Sequence, residues 1–291
     1  MKTPFLVSLI VSSIIAILFQ CFTGYKWFSK GIASNDPKEK IGYYTKSIEK
    51  KYFLRGSYNN RGLAYACLGL PDSAIADYDR SIRIAPKKAL IYFNRGLTYG
   101  CSGQTNKAIA DFSEAIRLRP RFSKAYFSRG NSYSYIKQYE KSISDFRKCL
   151  ELDKKNIEAY RGLGIVYSKN KDYNSAVRIS LQGLAMAPGD AQLSDNLGYY
   201  YLENDELGKA ISGFSDCLKT ENQNIDATLG MSIAYYSKRD TSNARLYLNY
   251  AKKLEPCLNK GMDGITELIN KGYFYSDKNL AMLRRIFDDL K

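Results

Sequence analysis

The chain repeats one pattern of small, aromatic and proline residues every 34 residues, and this period constrains its fold more than any other feature. Tyrosine stands at position 11 of every copy, glycine stands at position 8 of all copies but the last, and position 20 is always alanine or serine. No residue is inserted between consecutive copies, so one structural unit must fit its neighbours in a regular array. The copies occupy residues 55–88, 89–122, 123–156, 157–190, 191–224 and 225–258.

Each copy is predicted to form two antiparallel helices. In the second copy, Gly96 and Tyr99 lie on one face of the first helix, and Ala108 and Phe112 lie on one face of the second. Gly103 turns the chain between them, and the two small residues let the helices approach closely. A single hairpin cannot bury this face, whereas stacked neighbours can. The sequence therefore predicts an all-α, right-handed superhelical solenoid with a concave groove lined by the first helices.

With this period and signature, the sequence resembles the tetratricopeptide repeat (TPR) family. The resemblance implies that positions 2, 5, 6, 9, 12 and 13 of each repeat point into the groove. We therefore predict a scaffold or adaptor that binds a protein or peptide partner in its concave groove. An alternative is a structural or assembly subunit of an envelope complex, which would use its convex face or its C-terminal helix.

An uncharged hydrophobic run, residues 5–22, precedes the repeats and would span about 27 Å as a helix, close to the thickness of a hydrocarbon core. Three outcomes are open: a cleaved signal peptide, a lipoprotein signal lipidated at Cys21, and an uncleaved anchor. The residues after the run form a poor cleavage site, and Gln20 departs from the small residue of a lipoprotein signal. We therefore predict a signal-anchor, a transmembrane helix within residues 1–30, with Tyr25 and Trp27 at interfacial depth.

An anchor of this kind predicts a single-pass membrane protein with its repeats on the exported side, periplasmic or extracellular. The lysines that follow the run favour a cytoplasmic array instead, and cleavage of the run would give a secreted protein. Residues 31–54 are predicted to form a linker and a helix that resembles the second half of a repeat. Residues 259–291 are predicted to form capping helices that cover the last repeat.

Composition argues against an enzyme. The chain has no histidine, which excludes His-based acid–base catalysis and His-ligated zinc, and it has no phosphate-binding glycine loop. We predict no catalysis, no cofactor, no metal site and no small-molecule substrate. The net charge of +15 comes from residues before 157, but no helix carries an unbroken basic stripe with exposed aromatic residues. Nucleic-acid binding is therefore not expected.

Two repeat positions change together between the third and the fourth copy. Position 7 is arginine and position 23 is aspartate in the first three copies, and both are uncharged in the last three. An arginine that faces an aspartate between the helices explains this joint change, because a half-buried charge without its partner is costly. The predicted structural pairs are Arg61 with Asp77, Arg95 with Asp111, and Arg129 with Asp145.

The predicted groove combines amides, aromatic rings and a few charges. Asparagine amides can bond an extended peptide backbone, and the two phenylalanine rings can hold partner side chains between them. Leu63, Leu97, Asp195 and Tyr199 also fall at positions that face the groove. The predicted peptide-binding residues are Asn59, Phe93, Asn94, Lys124, Phe127, Asn131, Tyr135, Arg161 and Asn196.

Overall fold

The computed structural model describes residues 3–271 and 276–290, with side chains from Ser13 onward. These residues are helical apart from short connections, and the chain divides into two compact units. Unit one comprises residues 1–137 and unit two comprises residues 138–291. The third repeat contributes its first helix to unit one and its second helix to unit two.

Unit one consists of helix pairs in which each helix packs on the next along the chain. Its helices are α1 (Thr3–Ala33), α2 (Pro37–Glu49), α3 (Leu54–Cys67), α4 (Pro71–Ile84), α5 (Ala89–Cys101), α6 (Thr105–Leu118) and α7 (Ser123–Tyr135).

Unit two continues the same alternation and ends on helices outside the repeat pattern. Its helices are α8 (Tyr139–Leu152), α9 (Ile157–Lys169), α10 (Tyr173–Met186), α11 (Ala191–Glu203), α12 (Leu207–Thr220), α13 (Ile225–Ser237), α14 (Thr241–Leu254), a 3-10 helix (Pro256–Lys260), α15 (Met262–Asn270) and α16 (Asp277–Asp289).

Each repeat turns between its helices at position 15, where the backbone is left-handed in all copies. Glycine is the residue that takes this conformation without steric cost, and it occupies the turn only in the first two repeats. The later four turns therefore carry a residue with a Cβ in a strained backbone. The residues at this position are Gly69, Gly103, Lys137, Lys171, Asp205 and Arg239, with φ between 59° and 75°.

Close packing of the two helices in a repeat depends on the glycine at position 8. A Cβ on Gly96 would lie 2.8 Å from Cε1 of Phe112, and a Cβ on Gly198 would lie 2.5 Å from Cε1 of Phe214. The ring at position 24 thus occupies the volume that any larger residue at position 8 would need. Ala108, at position 20, is fully buried beside this contact.

Helix starts in the later repeats are fixed by side-chain caps. Asn156, Asp190 and Asn224 each accept a hydrogen bond from the backbone N–H three residues later, at 2.8–3.0 Å. Each satisfies an N–H group that has no partner within the helix. These caps precede the first helices of the fourth, fifth and sixth repeats.

The end of α1 packs against α2, although the sequence predicted Trp27 at the membrane interface and a linker from residue 31. The Trp27 ring stacks on Tyr43 with centroids 6.0 Å apart, and the Phe28 ring lies 5.7 Å from the Tyr44 ring. A Cβ on Gly31 would lie 2.6 Å from Cε1 of Tyr44, so α1 approaches α2 as closely as a first helix approaches its second. These rings find a packing partner within the chain, and only residues 34–36 separate the two helices.

The predicted transmembrane helix requires a correction. Within the described residues, no helix combines the length and apolarity needed to cross a membrane. The side chains of residues 5–12 of the predicted anchor lie outside the described part. This finding overturns the predicted anchor and the single-pass membrane localisation that rested on it.

Candidate functional site

Three of the predicted groove residues pack inside unit one. The Phe93 ring lies 5.8 Å from the Phe112 ring and 4.9 Å from the Phe122 ring, measured between centroids. Asn94 Nδ2 donates a hydrogen bond to Asn59 Oδ1 at 3.0 Å, which links α5 to α3. Phe93, Asn94 and Asn59 each expose less than a tenth of their surface. Their contacts within the chain leave little of them for a ligand to touch.

Other predicted residues of unit one are accessible on α7. Lys124 and Asn131 are exposed, Phe127 is half-buried, and Tyr135 exposes 78% of its surface. Helix α3 contacts α5, and α5 contacts α7, so the same repeat positions on these helices lie side by side.

Positions 9 and 13 of the three first helices form a continuous surface, because residues four apart share one face of a helix. Leu63 and Leu97 are each 40% exposed there, although both are large apolar side chains. The structure thus brings apolar area, an amide and a tyrosine together. We call this surface the first-helix strip; it consists of Leu63, Cys67, Leu97, Cys101, Asn131 and Tyr135.

The arginine and aspartate of the first repeat lie between its two helices. Arg61 Nε donates to Asp77 Oδ2 at 2.6 Å, and Arg61 Nη2 donates to Asp77 Oδ1 at 2.9 Å. Arg61 Nη1 also donates to Thr45 Oγ1 of α2 at 2.9 Å. This two-point contact fixes the relative position of α3 and α4, and the third bond ties the hairpin to the preceding helix.

The second repeat repeats this geometry. Arg95 Nε and Nη2 each donate to a carboxylate oxygen of Asp111 at 2.7 Å, and Nη1 bonds Asp79 of the preceding repeat. The hydrogen bond to Asp111 raises the pKa of the Arg95 guanidinium. The third predicted pair, Arg129 with Asp145, has one residue in each unit and stays a prediction.

Unit two contains a cavity of about 780 Å³. Its walls come from α9, α11 and the start of α13, and from residues beyond the last repeat. We call it the acidic cavity; its lining residues are Ile165, Ser168, Lys169, Gln192, Asp195, Asn196, Tyr199, Tyr200, Glu203, Glu221, Asn224, Asp226, Lys271, Ser276 and Asn279.

Three buried polar atoms that line the acidic cavity have no hydrogen-bond partner among residues 13–271 and 276–290. They are Asp195 Oδ1, Asn196 Nδ2 and the Tyr200 hydroxyl. Burial, followed by the nearby carboxylates of Asp226 and Glu221, raises the pKa of Asp195 well above its usual value. Burial, followed by Asp195, also raises the pKa of Tyr200. Buried polar groups usually have partners, so these three atoms are available to bond water or a polar ligand.

Helix α16 is held at the edge of the acidic cavity by polar contacts with the end of α11. Glu203 accepts hydrogen bonds from Ser276 Oγ and from Asn279 Nδ2, the latter at 3.2 Å. Lys278 Nζ donates to the Leu202 carbonyl at 2.9 Å. Lys271, which also lines the cavity, forms a salt bridge with Glu255 at 3.0 Å.

Of the two groove residues predicted in unit two, only Asn196 lines the acidic cavity. Arg161 instead bonds Asp190, the cap of α11, and Glu158 one turn earlier. Sequence reasoning missed Glu221, Lys271 and the contributions of α15 and α16. The available signal was the acidic character of the fifth repeat, the one repeat with a net negative charge.

Antiparallel helix pairs of nearly constant length, with small residues at positions 8 and 20 of every repeat, define the class of helical-hairpin repeat proteins. Models of the tetratricopeptide repeat match residues 56–88, 89–122 and 123–156. The chain belongs to the tetratricopeptide repeat family, and this confirms the resemblance read from the sequence. Comparison with curated proteins finds no match.

Solved structures with a similar fold include TPR proteins. The C-terminal part of a TPR repeat-containing protein from Cytophaga hutchinsonii has a TM-score of 0.67 and 19% identity, over 85% of this chain and 98% of that chain. A TPR protein from Parabacteroides merdae has a TM-score of 0.61 and 17% identity, over 91% and 99%. YrrB, described as a TPR protein with an unusual peptide-binding site, has a TM-score of 0.54 and 21% identity, over 62% and 92%.

Proposed function

We propose that the chain is a non-catalytic adaptor that binds a segment of a partner protein along the first-helix strip of unit one. The observation that carries this proposal is the exposure of Leu63, Leu97 and Tyr135 in one row across neighbouring first helices. Burying apolar area of this kind contributes about 25 cal/mol per Å². Aromatic and apolar residues in a row are typical of surfaces that bind helical or extended segments.

The chemistry around the row defines the segment that fits. Leu63 and Leu97 suit an apolar side chain, and the Asn131 amide can bond the backbone of the segment. Lys124, exposed at the start of α7, suits a carboxylate. Membership of the TPR family supports a role in protein binding, and the peptide-binding site described for YrrB supports a peptide as the ligand.

The alternative of an assembly subunit that docks through its C-terminal helix has less support. Leu283 and Ile286 of α16 are fully buried, and Phe287 is 7% exposed, all within the core of unit two. A helix whose apolar face already packs in its own chain has little left to offer a partner.

Selection of peptides from a random library on the immobilised full-length chain tests the proposal. The charged variant Leu97→Glu should weaken binding of the selected peptides at least about tenfold, equivalent to about 1.4 kcal/mol. Ile84→Glu is the matched control, because Ile84 is 49% exposed on the second helix α4. It should bind the same peptides as well as the unmodified chain does.

Both variants should melt at nearly the same temperature, since neither side chain is in the core. Equal binding by Leu97→Glu and Ile84→Glu would contradict the proposal, and so would a library that yields no binder.

A further inference from the structure

A second binding site lies in unit two, in the acidic cavity. We propose that this cavity binds a lysine or arginine residue of a polypeptide, with Asp195 Oδ1 accepting a hydrogen bond from the cationic side chain and Asn196 Nδ2 donating one to an adjacent backbone carbonyl. The site is formed by the later repeats and the C-terminal helices. Its test is therefore independent of the test of the first-helix strip.

Charge is the first argument for a cationic ligand. Carboxylates outnumber lysines in the lining of the cavity, and one of the two lysines, Lys271, is already paired with Glu255. The chain as a whole is basic, so an acidic surface here departs from its surroundings. The carboxylates of the lining are those of Asp195, Glu203, Glu221 and Asp226.

Unpaired buried groups are the second, independent argument. Asp195 is 8% exposed, and within the described part of the chain its Oδ1 atom has no hydrogen-bond partner. Removing a carboxylate from water is costly unless a cation and its N–H groups replace the water. A bound ammonium or guanidinium group would supply both, and burial would strengthen the interaction relative to one in bulk water.

Asn196 indicates that the ligand is part of a polypeptide and not a simple cation. Its Nδ2 atom lies in the same wall and has no acceptor among the described residues, so it can donate a hydrogen bond to an acceptor on the ligand. A metal ion or a small amine has no acceptor to offer, whereas a lysine or arginine residue carries a backbone carbonyl beside its cationic side chain. Asp195 Oδ1 and Asn196 Nδ2 together therefore fit a lysine or arginine residue within a polypeptide.

The size and walls of the cavity fit the same ligand. A volume of about 780 Å³ accommodates a long side chain together with the backbone on either side of it. The Tyr199 ring lines this space, and its hydroxyl donates to the Asp226 carbonyl at 2.8 Å, which holds the ring in place. A tyrosine ring beside a cationic group adds a favourable cation–π interaction.

Titration of the full-length chain with small probes, followed by NMR, tests the assignment. The probes are N-acetyl-arginine N-methylamide, its neutral citrulline counterpart, and N-butylguanidinium, which keeps the single guanidinium charge but lacks the carbonyls. The arginine probe should bind at concentrations up to about 10 mM, and the citrulline and N-butylguanidinium probes should bind at least about tenfold more weakly.

Two variants complete the test. Asp195→Asn keeps the shape of the side chain and should weaken binding of the arginine probe at least about tenfold. Asp216→Asn is the matched control, because Asp216 is an exposed carboxylate on α12 that pairs with Lys219, and this variant should bind normally. Melting curves of both variants verify that they fold.

Five results would overturn the assignment: no binding of the arginine probe, equal binding of arginine and citrulline, equal binding of the arginine probe and N-butylguanidinium, equal binding by the unmodified chain and Asp195→Asn, or displacement of the probe by Ca²⁺ at equal concentration. The third of these results would remove the role given to Asn196 and reject a polypeptide as the ligand.

Discussion

The paired charges of the second repeat allow a quantitative test of what holds each hairpin together. The change is Arg95→Leu, which removes both hydrogen bonds to Asp111. Asp111 has 8% of its side chain exposed, so water cannot replace the lost donors. Breaking a buried ion pair by removing one partner costs about 3–5 kcal/mol, and the lower end applies because the Arg95 side chain keeps 19% exposure.

We therefore expect Arg95→Leu to lower the free energy of unfolding by about 3 kcal/mol. Loss of the bond to Asp79 adds little, since that side chain is 41% exposed and can be hydrated. The double variant Arg95→Leu with Asp111→Ile places in the second repeat the residue types that the fourth repeat carries at the same positions. It should recover about 2 kcal/mol, because no unpaired buried charge remains.

Urea denaturation of the four proteins in the double-mutant cycle measures these differences. Arg117→Leu is the control, since Arg117 pairs with Glu114 on the surface of α6 with 67% of its side chain exposed. It should leave stability almost unchanged. Additive losses for Arg95→Leu and Asp111→Ile would refute the coupling, and a large loss for Arg117→Leu would show that the effect is not one of burial.

Other predictions follow from the turns, the helix contacts and the acidic cavity. Lys171→Gly should stabilise the chain by about 1 kcal/mol because glycine removes the strain of a side chain at a left-handed turn. Gln182→Gly, inside the following helix, should destabilise the chain by a similar amount. Thermal melts compare the two variants. Gly96→Ala should destabilise the chain by about 2 kcal/mol because the added Cβ meets the buried ring of Phe112. Gly100→Ala in the same helix should be neutral or stabilising. Equal effects of the two variants would contradict the close-packing argument. Asp195→Asn should raise the melting temperature at neutral pH. Because the folded pKa of Asp195 is raised above its unfolded value of about 3.9, its ionisation opposes folding as pH rises, so the gain should vanish below about pH 4.

The helix pairs could be predicted from the sequence because their determinants recur at fixed spacing. Gly96, Ala108 and Phe112 belong to one hairpin, and their contact depends on residues that are close along the chain. A 34-residue period that keeps its register over the repeats is therefore enough to predict the helices, the turn between them and the family. The same reasoning predicted the arginine–aspartate pairs, whose partners stand sixteen residues apart and form hydrogen bonds in the first two copies.

The remaining features depend on contacts that periodicity does not encode. Phe93 stands at a position that faces the groove in the family, but the rings of Phe112 and Phe122 cover it. The acidic cavity joins Glu203 to Asn279 across 76 residues, and α16 follows no repeat pattern. The length of the hydrophobic run also could not show that the rings of Trp27 and Phe28, which follow it, pack against α2.

Trp27 is the only tryptophan of the chain, and it lies between α1 and α2. The Nζ atoms of Lys30 and Lys46 approach its ring at 5.1 Å and 4.2 Å from the centroid, so its surroundings differ sharply from bulk water. Tryptophan fluorescence of the unmodified chain is therefore a local optical reporter of the N-terminal hairpin, whereas circular dichroism records all the helices together. Comparing the two signals during unfolding would separate fraying of that end from melting of the repeats, without the introduction of any label.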